Sequence, residues 1–313
     1  MGISQTQDNL RAVRNNVSQI VVGMEDVVDT LIIALVSEGH ILLEGKPGVG
    51  KTTVAKVFAN TIGGKFQRIQ MTPDMLPSDV LGVNVFDPET RKWELHRGPI
   101  FGNVILIDEL NRASPKVQSA FLEVMQEKQV TIEGTSLPLE TPFIVIATQV
   151  PYGEAGTYPL TTVQIDRFAY RVIMEYPSRE NESEILRRMD MLDTINVKPI
   201  LTRNDIITLQ EQAKMITISE KLNIYLAELV TWLRGSRYIR AGPGPRASIS
   251  LMKGCRVKAM VEDRDYVIPD DIKFLADKAL VHRIELTPQA RADEVSAEGL
   301  IEEALKTVEV PKE

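Results

Sequence analysis

Between residues 45 and 52 the chain reads Gly45-Lys46-Pro47-Gly48-Val49-Gly50-Lys51-Thr52. A glycine, four free positions and then Gly-Lys-Thr is the spacing of a phosphate-binding loop. Glycines permit the tight backbone turn, successive N–H groups point inward as an anion nest, and a following helix adds positive partial charge at its N-terminus. On this reading Gly45, Pro47, Gly48, Val49, Gly50, Lys51, Thr52 and Thr53 hold the phosphates of ATP. Lys51 reaches the β- and γ-phosphates, and the Thr52 hydroxyl is a ligand for Mg²⁺. The apolar run Ile41–Leu43 ahead of the loop and a helical stretch behind it supply the context the motif needs.

A second run, Val104-Ile105-Leu106-Ile107, ends in Asp108-Glu109. A buried strand that finishes in two carboxylates puts Asp108 where it can hold the Mg²⁺ shell. Glu109 then orients and polarises the attacking water.

The elements that position these groups follow from hydrophobic periodicity. Residues 1–20 and 25–37 read as helices. Short apolar runs at Ile41–Leu43, Phe66–Met71, Val104–Ile107 and Phe143–Ala147 alternate with helical stretches at 51–62 and 114–128. Buried runs alternating with helices specify an α/β fold with a central parallel sheet covered on both faces. Two β-hairpins interrupt the rhythm: Val83–Phe86 with Lys92–Leu95, and Gln129–Ile132 with Leu137–Leu139 around Glu133-Gly134-Thr135-Ser136. Past Pro177 the strands are expected to stop, with helices near 179–193, 203–215, 219–235, 246–262 and 269–282. The expected organisation is an N-terminal helix (1–20), a nucleotide-binding core (21–178), a connecting helix and linker (179–200) loosened at Asn196–Pro199, and a smaller all-helical lid (201–313).

Composition bounds the rest. The 313 residues are 43% apolar and 25% charged, and the net charge is −7. That balance argues against wholesale binding of a nucleic-acid backbone. The hairpins agree: Arg91, Lys92 and Arg97 face Asp87, Glu89 and Glu94 on the first, and Lys128 faces Glu133 and Glu140 on the second. One cysteine, Cys255, excludes an intrachain disulfide, and on its helix it reads as core. The opening residues are polar and the apolar stretch at Val27–Val36 is too short to span a bilayer, so a cytoplasmic protein with no membrane span is expected.

Further segments resemble the MoxR group of AAA+ ATPases over nearly the whole chain. They are Ile20-Val21-Val22-Gly23 with Glu25, Thr72-Pro73-Asp74-Met75-Leu76-Pro77-Ser78-Asp79, Asp108-Glu109-Leu110-Asn111-Arg112-Ala113, Glu154-Ala155-Gly156-Thr157-Tyr158-Pro159-Leu160 with Ile165-Asp166-Arg167-Phe168, and Gly244-Pro245-Arg246-Ala247-Ser248. The resemblance implies a homo-oligomer, a hexameric ring, that turns over ATP to remodel or activate a protein client, with von Willebrand factor A domain proteins among the partners. It implies adenine packing by Val22 and Gly23, an arginine finger at Arg167 and a nucleotide sensor at Arg246. An arginine finger is worth roughly 10³–10⁵ in rate. Arg112 acts across the interface or in a salt bridge within the subunit. Gln70, at a strand end, either holds Glu109 back from water or is a plain polar terminus. Trp93 is either an anchor for a protein contact or packs on its own domain.

One departure stands out in Ala147-Thr148-Gln149-Val150-Pro151: the family's water-positioning Asn is replaced by Val150. Gln149 takes over that task, or Thr148 does, or hydrolysis is slow. Of these, Gln149 is the first expectation, because its amide is long enough to swing into the vacated place. Besides the ATPase that works on protein, a nucleic-acid motor and a slow ATP-binding switch are the competing readings.

Overall fold

The structure, a computed structural model, describes residues 3–150, 156–192 and 198–311. In chain order the first part comprises α1 (Ile3–Ile20), α2 (Glu25–Val36), β1 (Ile41–Gly45), α3 (Lys51–Thr61), β2 (Phe66–Gln70), α4 (Pro77–Leu81), β3 (Gly82–Asp87), β4 (Lys92–Arg97), β5 (Val104–Asp108) and α5 (Pro115–Glu127). There follow β6 (Gln129–Ile132), β7 (Thr135–Pro138), β8 (Ile144–Gln149), α6 (Thr162–Ile165), β9 (Tyr170–Met174) and α7 (Arg179–Leu192). The remainder is α8 (Arg203–Met215), α9 (Glu220–Gly235), β10 (Ile239–Ala241), α10 (Pro245–Val261), α11 (Pro269–Leu280), β11 (Glu285–Leu286), α12 (Pro288–Ala292) and α13 (Ala297–Thr307).

Five strands form one parallel sheet in the order β2-β5-β8-β1-β9. Its side chains part by the two-residue period of a strand. Ile41 and Leu43, Val104 and Leu106, and Ile144 and Ile146 enter the core shared with α1, α2 and α3. Leu42, Ile105 and Ile107, and Val145 and Ala147 enter a second core on the opposite face, with Val117, Phe121 and Val124 of α5. Burial on both faces explains why β5 and β8 read as unbroken apolar runs.

The sequence missed β9. Tyr170-Arg171-Val172-Ile173-Met174 lies at the sheet edge, where Arg171 interrupts the apolar run and Ile173 faces solvent. Both hairpins form. The second turns more tightly than expected, on Glu133-Gly134 alone, both with positive φ, so Thr135 and Ser136 join the strand instead of the turn. Two residues with φ > 0 match the twist of the paired strands.

Among the described residues beyond α7 the named elements are helices apart from the short β10–β11 ribbon, which the sequence reading did not anticipate, and α12 and α13 extend the helical part toward the C-terminus. The Thr202 and Asp205 side chains close the N-terminus of α8 reciprocally, a capping box. The residues expected to loosen the chain, beginning at Asn196, lie partly outside the described residues. Cys255 is fully buried in α10.

Two contacts fasten the helical part to the sheet. The Tyr170 hydroxyl donates to the Ser250 carbonyl at 2.9 Å, where α10 passes so close that a Cβ on Gly254 would lie 2.4 Å from the Tyr170 oxygen. Arg283, with only 3% of its side chain exposed, donates to the Asp166 carboxylate and to the carbonyls of Asp166, Phe168, Ala169 and Ala279. Burial pulls its pKa below the ordinary guanidinium value, against the opposing pull of Asp166.

Candidate active site

The loop after β1 supplies the first half of the site. Gly48 and Gly50 have φ of 82° and 89°, which side chains other than glycine rarely adopt. Gly50 is the residue ahead of α3, so the loop's N–H groups and the helix N-terminus share one concavity. Lys51 is buried and its ammonium donates to the carbonyls of Gly45 and, at 2.8 Å, Lys46.

Around that concavity lies a cavity of about 320 Å³ lined by Pro47, Gly48, Gly50, Lys51, Thr52, Thr53, Arg68, Gln70, Asp108, Glu109, Thr148 and Val150. Asp108 is its buried centre. The hydroxyls of Thr52 and Thr148 donate to Oδ1 at 3.1 and 3.2 Å, and Arg68 Nε donates to Oδ2 at 2.7 Å. A hydroxyl beside a carboxylate is a hard oxygen set that fits Mg²⁺, which keeps several of its ligands as water and phosphate oxygen. Thr52 and Asp108 would hold that ion.

Glu109 sits one residue beyond β5 in the left-handed region, φ 57°. Its backbone N–H donates to Thr148 Oγ1 at 2.9 Å. Its carboxylate takes the Gln70 amide at 3.3 Å and the Arg112 guanidinium at 2.7 Å. Of the two readings of Arg112, the structure contains the pair within the subunit. Gln70 touches Glu109, as its place at the strand end allowed.

The expectation for Gln149 is not met. Its amide donates to Glu44 Oε2 at 3.0 Å, an oxygen that also pairs with Arg171. The cause is strand parity: Gln149 shares the face of Val145 and Ala147, whereas Thr148 shares that of Ile146 and points at Asp108. Val150 lines the cavity, its backbone held on both sides by the Asn111 amide at 3.1 and 3.3 Å. Pro151, Glu154 and Ala155 lie outside the described residues.

Beside the loop a second cavity, about 510 Å³, is lined by Glu44, Gly45, Lys46, Val49, Ile173, Met174, Glu175 and Tyr176. Neither Val22 nor Gly23 lines either cavity. Gly23 abuts the Asn181 amide instead, and Met24 is the neighbour of Gly50. Met24 therefore lies at the start of α3, and Val22 and Gly23 are in neither lining.

The two remaining arginines are elsewhere. Arg246, at the start of α10, donates to Asp166 at 3.3 Å and to Gln126 at 3.4 Å. A cation there opposes the helix dipole, and the Asp166 carboxylate offsets it. Arg167 donates to the Val163 carbonyl at 3.0 Å. Arg246 and Arg283 both pair with the Asp166 carboxylate, and with Arg167 they line a cavity of about 190 Å³ that shares no lining residue with the phosphate cavity. So Arg246 does not meet the phosphate loop of its own chain, contrary to the simplest form of a sensor role. Parallel pairing explains the separation. Arg167 leads into the amino end of β9, while the phosphate loop leaves the carboxyl end of its neighbour β1.

Arg68 was missed altogether, although Phe66-Gln67-Arg68-Ile69-Gln70 carried a usable signal. Counting in twos puts Arg68 on the face of Gln70.

Comparison with known proteins agrees with this geometry. Residues 40–170 match the ATPase family associated with various cellular activities (AAA), and residues 233–304 match the AAA lid domain. Protein YeaC of Bacillus subtilis is 41% identical over 95% of this chain and 93% of its own length. Chaperone MoxR1 of Mycobacterium tuberculosis is 40% identical over 95% of this chain and 81% of its own. A crystal structure from Cytophaga hutchinsonii, of a protein assigned as an ATPase, superposes with a TM-score of 0.92 at 39% identity, covering 99% of this chain and 97% of that one. With a phosphate loop on β1, paired acids ending β5, arginines at the far end of the sheet and a helical lid, this chain belongs to the MoxR family of AAA+ ATPases.

Proposed function

We propose that this chain hydrolyses ATP with Mg²⁺ at a site completed by a second copy of itself, and that the cycle does mechanical work on a protein client. The observation that carries the reading is the separation of the arginines from the phosphate loop. Five residues of parallel strand amount to roughly 16 Å, more than an arginine side chain spans. For Arg167 or Arg246 to neutralise a γ-phosphate, that phosphate must then belong to a neighbour's nucleotide. Arg167 is the proposed finger and Arg246 the proposed sensor, both serving the adjacent copy's nucleotide. Lys51 and Thr52 hold the phosphates and Mg²⁺, Asp108 completes the metal shell, and Glu109 polarises water. The second cavity, next to Gly45 and Val49, is the proposed adenine side.

For the client, the first hairpin offers an apolar surface: Val83, Val85, Phe86 and Trp93 are exposed, Trp93 at 69%, and the two aromatic rings lie 5.5 Å apart. Exposed clustered aromatics suit a protein surface better than a polyanion. The chaperone named among the relatives supports a protein client. A six-membered ring and a von Willebrand factor A domain partner rest on the family resemblance alone. Among the described residues no helix is long and apolar enough to cross a membrane. We take 21–178 as the core, 179–200 as the connection and 201–313 as the lid.

A slow, switch-like ATPase is the second reading, favoured by the apolar Val150 in the phosphate cavity. Steady-state turnover measured against protein concentration tests both. Specific activity that rises with concentration supports the shared site; low activity that stays flat favours the switch.

A further inference from the structure

We infer that Arg68 is a cation passed between the metal-ligand carboxylate Asp108 and the terminal phosphate of the nucleotide, and that its passage loosens the hold of Gln70 on Glu109, leaving the Arg112 pair in place. The inference rests on the nucleotide-binding reading above and adds to it a sensor of ATP against ADP that acts within one subunit.

Three contacts in series support it. Arg68 Nε donates to Asp108 Oδ2 at 2.7 Å, Arg68 Nη2 donates to Gln70 Oε1 at 2.9 Å, and Gln70 Nε2 donates to Glu109 Oε2 at 3.3 Å. The fork of the guanidinium makes this possible, since one planar group holds two acceptors at once. β2 and β5 run parallel with Gln70 opposite Asp108, and Arg68 lies two residues back on the same face. The two ends of the ion pair differ in freedom. The Asp108 side chain is 3% exposed, whereas that of Arg68 is 50% exposed and borders the phosphate cavity. Asp108 is therefore the fixed member and Arg68 the movable one.

Binding of Mg·ATP changes the balance at both places. A divalent ion held through Asp108 stands against a guanidinium on the same carboxylate, and like charges repel. A γ-phosphate in the same cavity offers the guanidinium paired oxygens that suit its fork better than a carboxylate shared with a metal. Once Arg68 leaves, Gln70 loses the donor that fixes its amide, and its hold on Glu109 loosens. ADP has no γ-phosphate and leaves Arg68 where it is. Arg68 is thus a positioning residue that reports the third phosphate to Glu109 through Gln70.

The test is equilibrium binding of a fluorescent non-hydrolysable ATP analogue and of fluorescent ADP to the full chain, with Mg²⁺ titrated. Wild type, Arg68→Gln and Arg68→Lys are compared, with thermal melting as the check on folding. Arg68→Gln should weaken the ATP analogue roughly tenfold, the loss expected for one hydrogen bond to a charged group, while ADP changes less than about twofold. The half-saturating Mg²⁺ concentration should fall, because a competitor for Asp108 is gone. Arg68→Lys should recover part of the preference for the ATP analogue, since a point charge still reaches phosphate. An unchanged ratio of the two affinities, or an equal loss for both, would overturn the inference even with nucleotide binding intact. If wild type binds neither nucleotide, the nucleotide reading itself fails and this inference falls with it.

Discussion

The Thr148 hydroxyl accepts the backbone N–H of Glu109 at 2.9 Å while donating to Asp108 at 3.2 Å. One side chain thus pins the left-handed turn that carries the acid proposed to polarise water, and fixes the acid proposed to hold the metal. Thr148→Ala should lower kcat by roughly tenfold or more, as loss of one positioning group does, with a much smaller change in ATP affinity. Thr148→Ser, which keeps the hydroxyl, should recover most of the rate. Gln149→Ala, tied to Glu44 away from the cavity, should turn over nearly as wild type. Steady-state kinetics of the three variants check this, and a slow Gln149→Ala beside a normal Thr148→Ala would reverse the assignment.

Lys51 and Glu109 separate binding from chemistry. Lys51 is proposed to meet phosphate in the ground state, so Lys51→Ala should lose nucleotide affinity. Glu109, as the proposed group that polarises water, would act only in the transition state, so Glu109→Gln should retain ATP and stop hydrolysing it. Nucleotide binding and single-turnover hydrolysis measured side by side decide the point. A Glu109→Gln protein reduced less than tenfold in rate would remove Glu109 from the catalytic role.

Cross-rescue tests the shared site. Arg167→Ala and Lys51→Ala proteins, each inactive alone, should regain part of the activity when mixed, because some interfaces then join an intact loop to an intact finger. Arg246→Ala should behave like Arg167→Ala in the same mixing, since both arginines border one cavity. Mixtures shown to co-assemble yet remaining inactive would count against action across the interface.

How much of this was legible beforehand depended on how local each signal is. The loop at 45–52 and the acids at 108–109 are contiguous words whose chemistry is fixed by their own spacing, and β1 and β5 lead up to them in unbroken apolar runs, Ile41–Leu43 and Val104–Ile107. Thr148 was legible in principle: counting in twos from Ile144 places it on the face that α3 covers, with Asp108 and Thr52. Length of side chain suggested Gln149 instead, and parity decided otherwise. Arg68 hid in a half-buried edge strand, and β9 hid behind Arg171 for the same reason: edges carry no continuous apolar run. The place of Arg246 could not be read at all. It depends on how α10 docks against α6 and α5, a tertiary contact between segments about 80 and 120 residues apart in sequence.

Histidine 40 gives a prediction for stability. Its ring is fully buried, with Nδ1 accepting from the Val145 N–H at 3.1 Å, so Nε2 carries the proton toward the Met125 carbonyl at 2.9 Å. Burial lowers its pKa from 6.5 to about 4, opposed by the Met125 hydrogen bond. Between those values the unfolded chain binds the proton and the folded one does not, so stability is full above pH 6.5 and falls as the pH drops toward 4. The shift corresponds to about 3 kcal/mol. Thermal melting between pH 7 and 4 should therefore show a steep loss in wild type and a shallower one in His40→Gln, measured from that variant's own starting stability. Equal slopes would show that other groups carry the acid sensitivity.

Arg283 grips the segment that carries Arg167 by a carboxylate and three carbonyls, and its own backbone belongs to the turn that ends α11. With Gly254 seated on Tyr170, that grip makes the lid and the arginine segment a single lever. A rotation of the lid cannot leave Arg167 behind. In an assembly of the proposed kind, a tilt of one lid would carry with it the arginine offered to the next copy, so neighbouring sites would answer to one another through the body of each subunit.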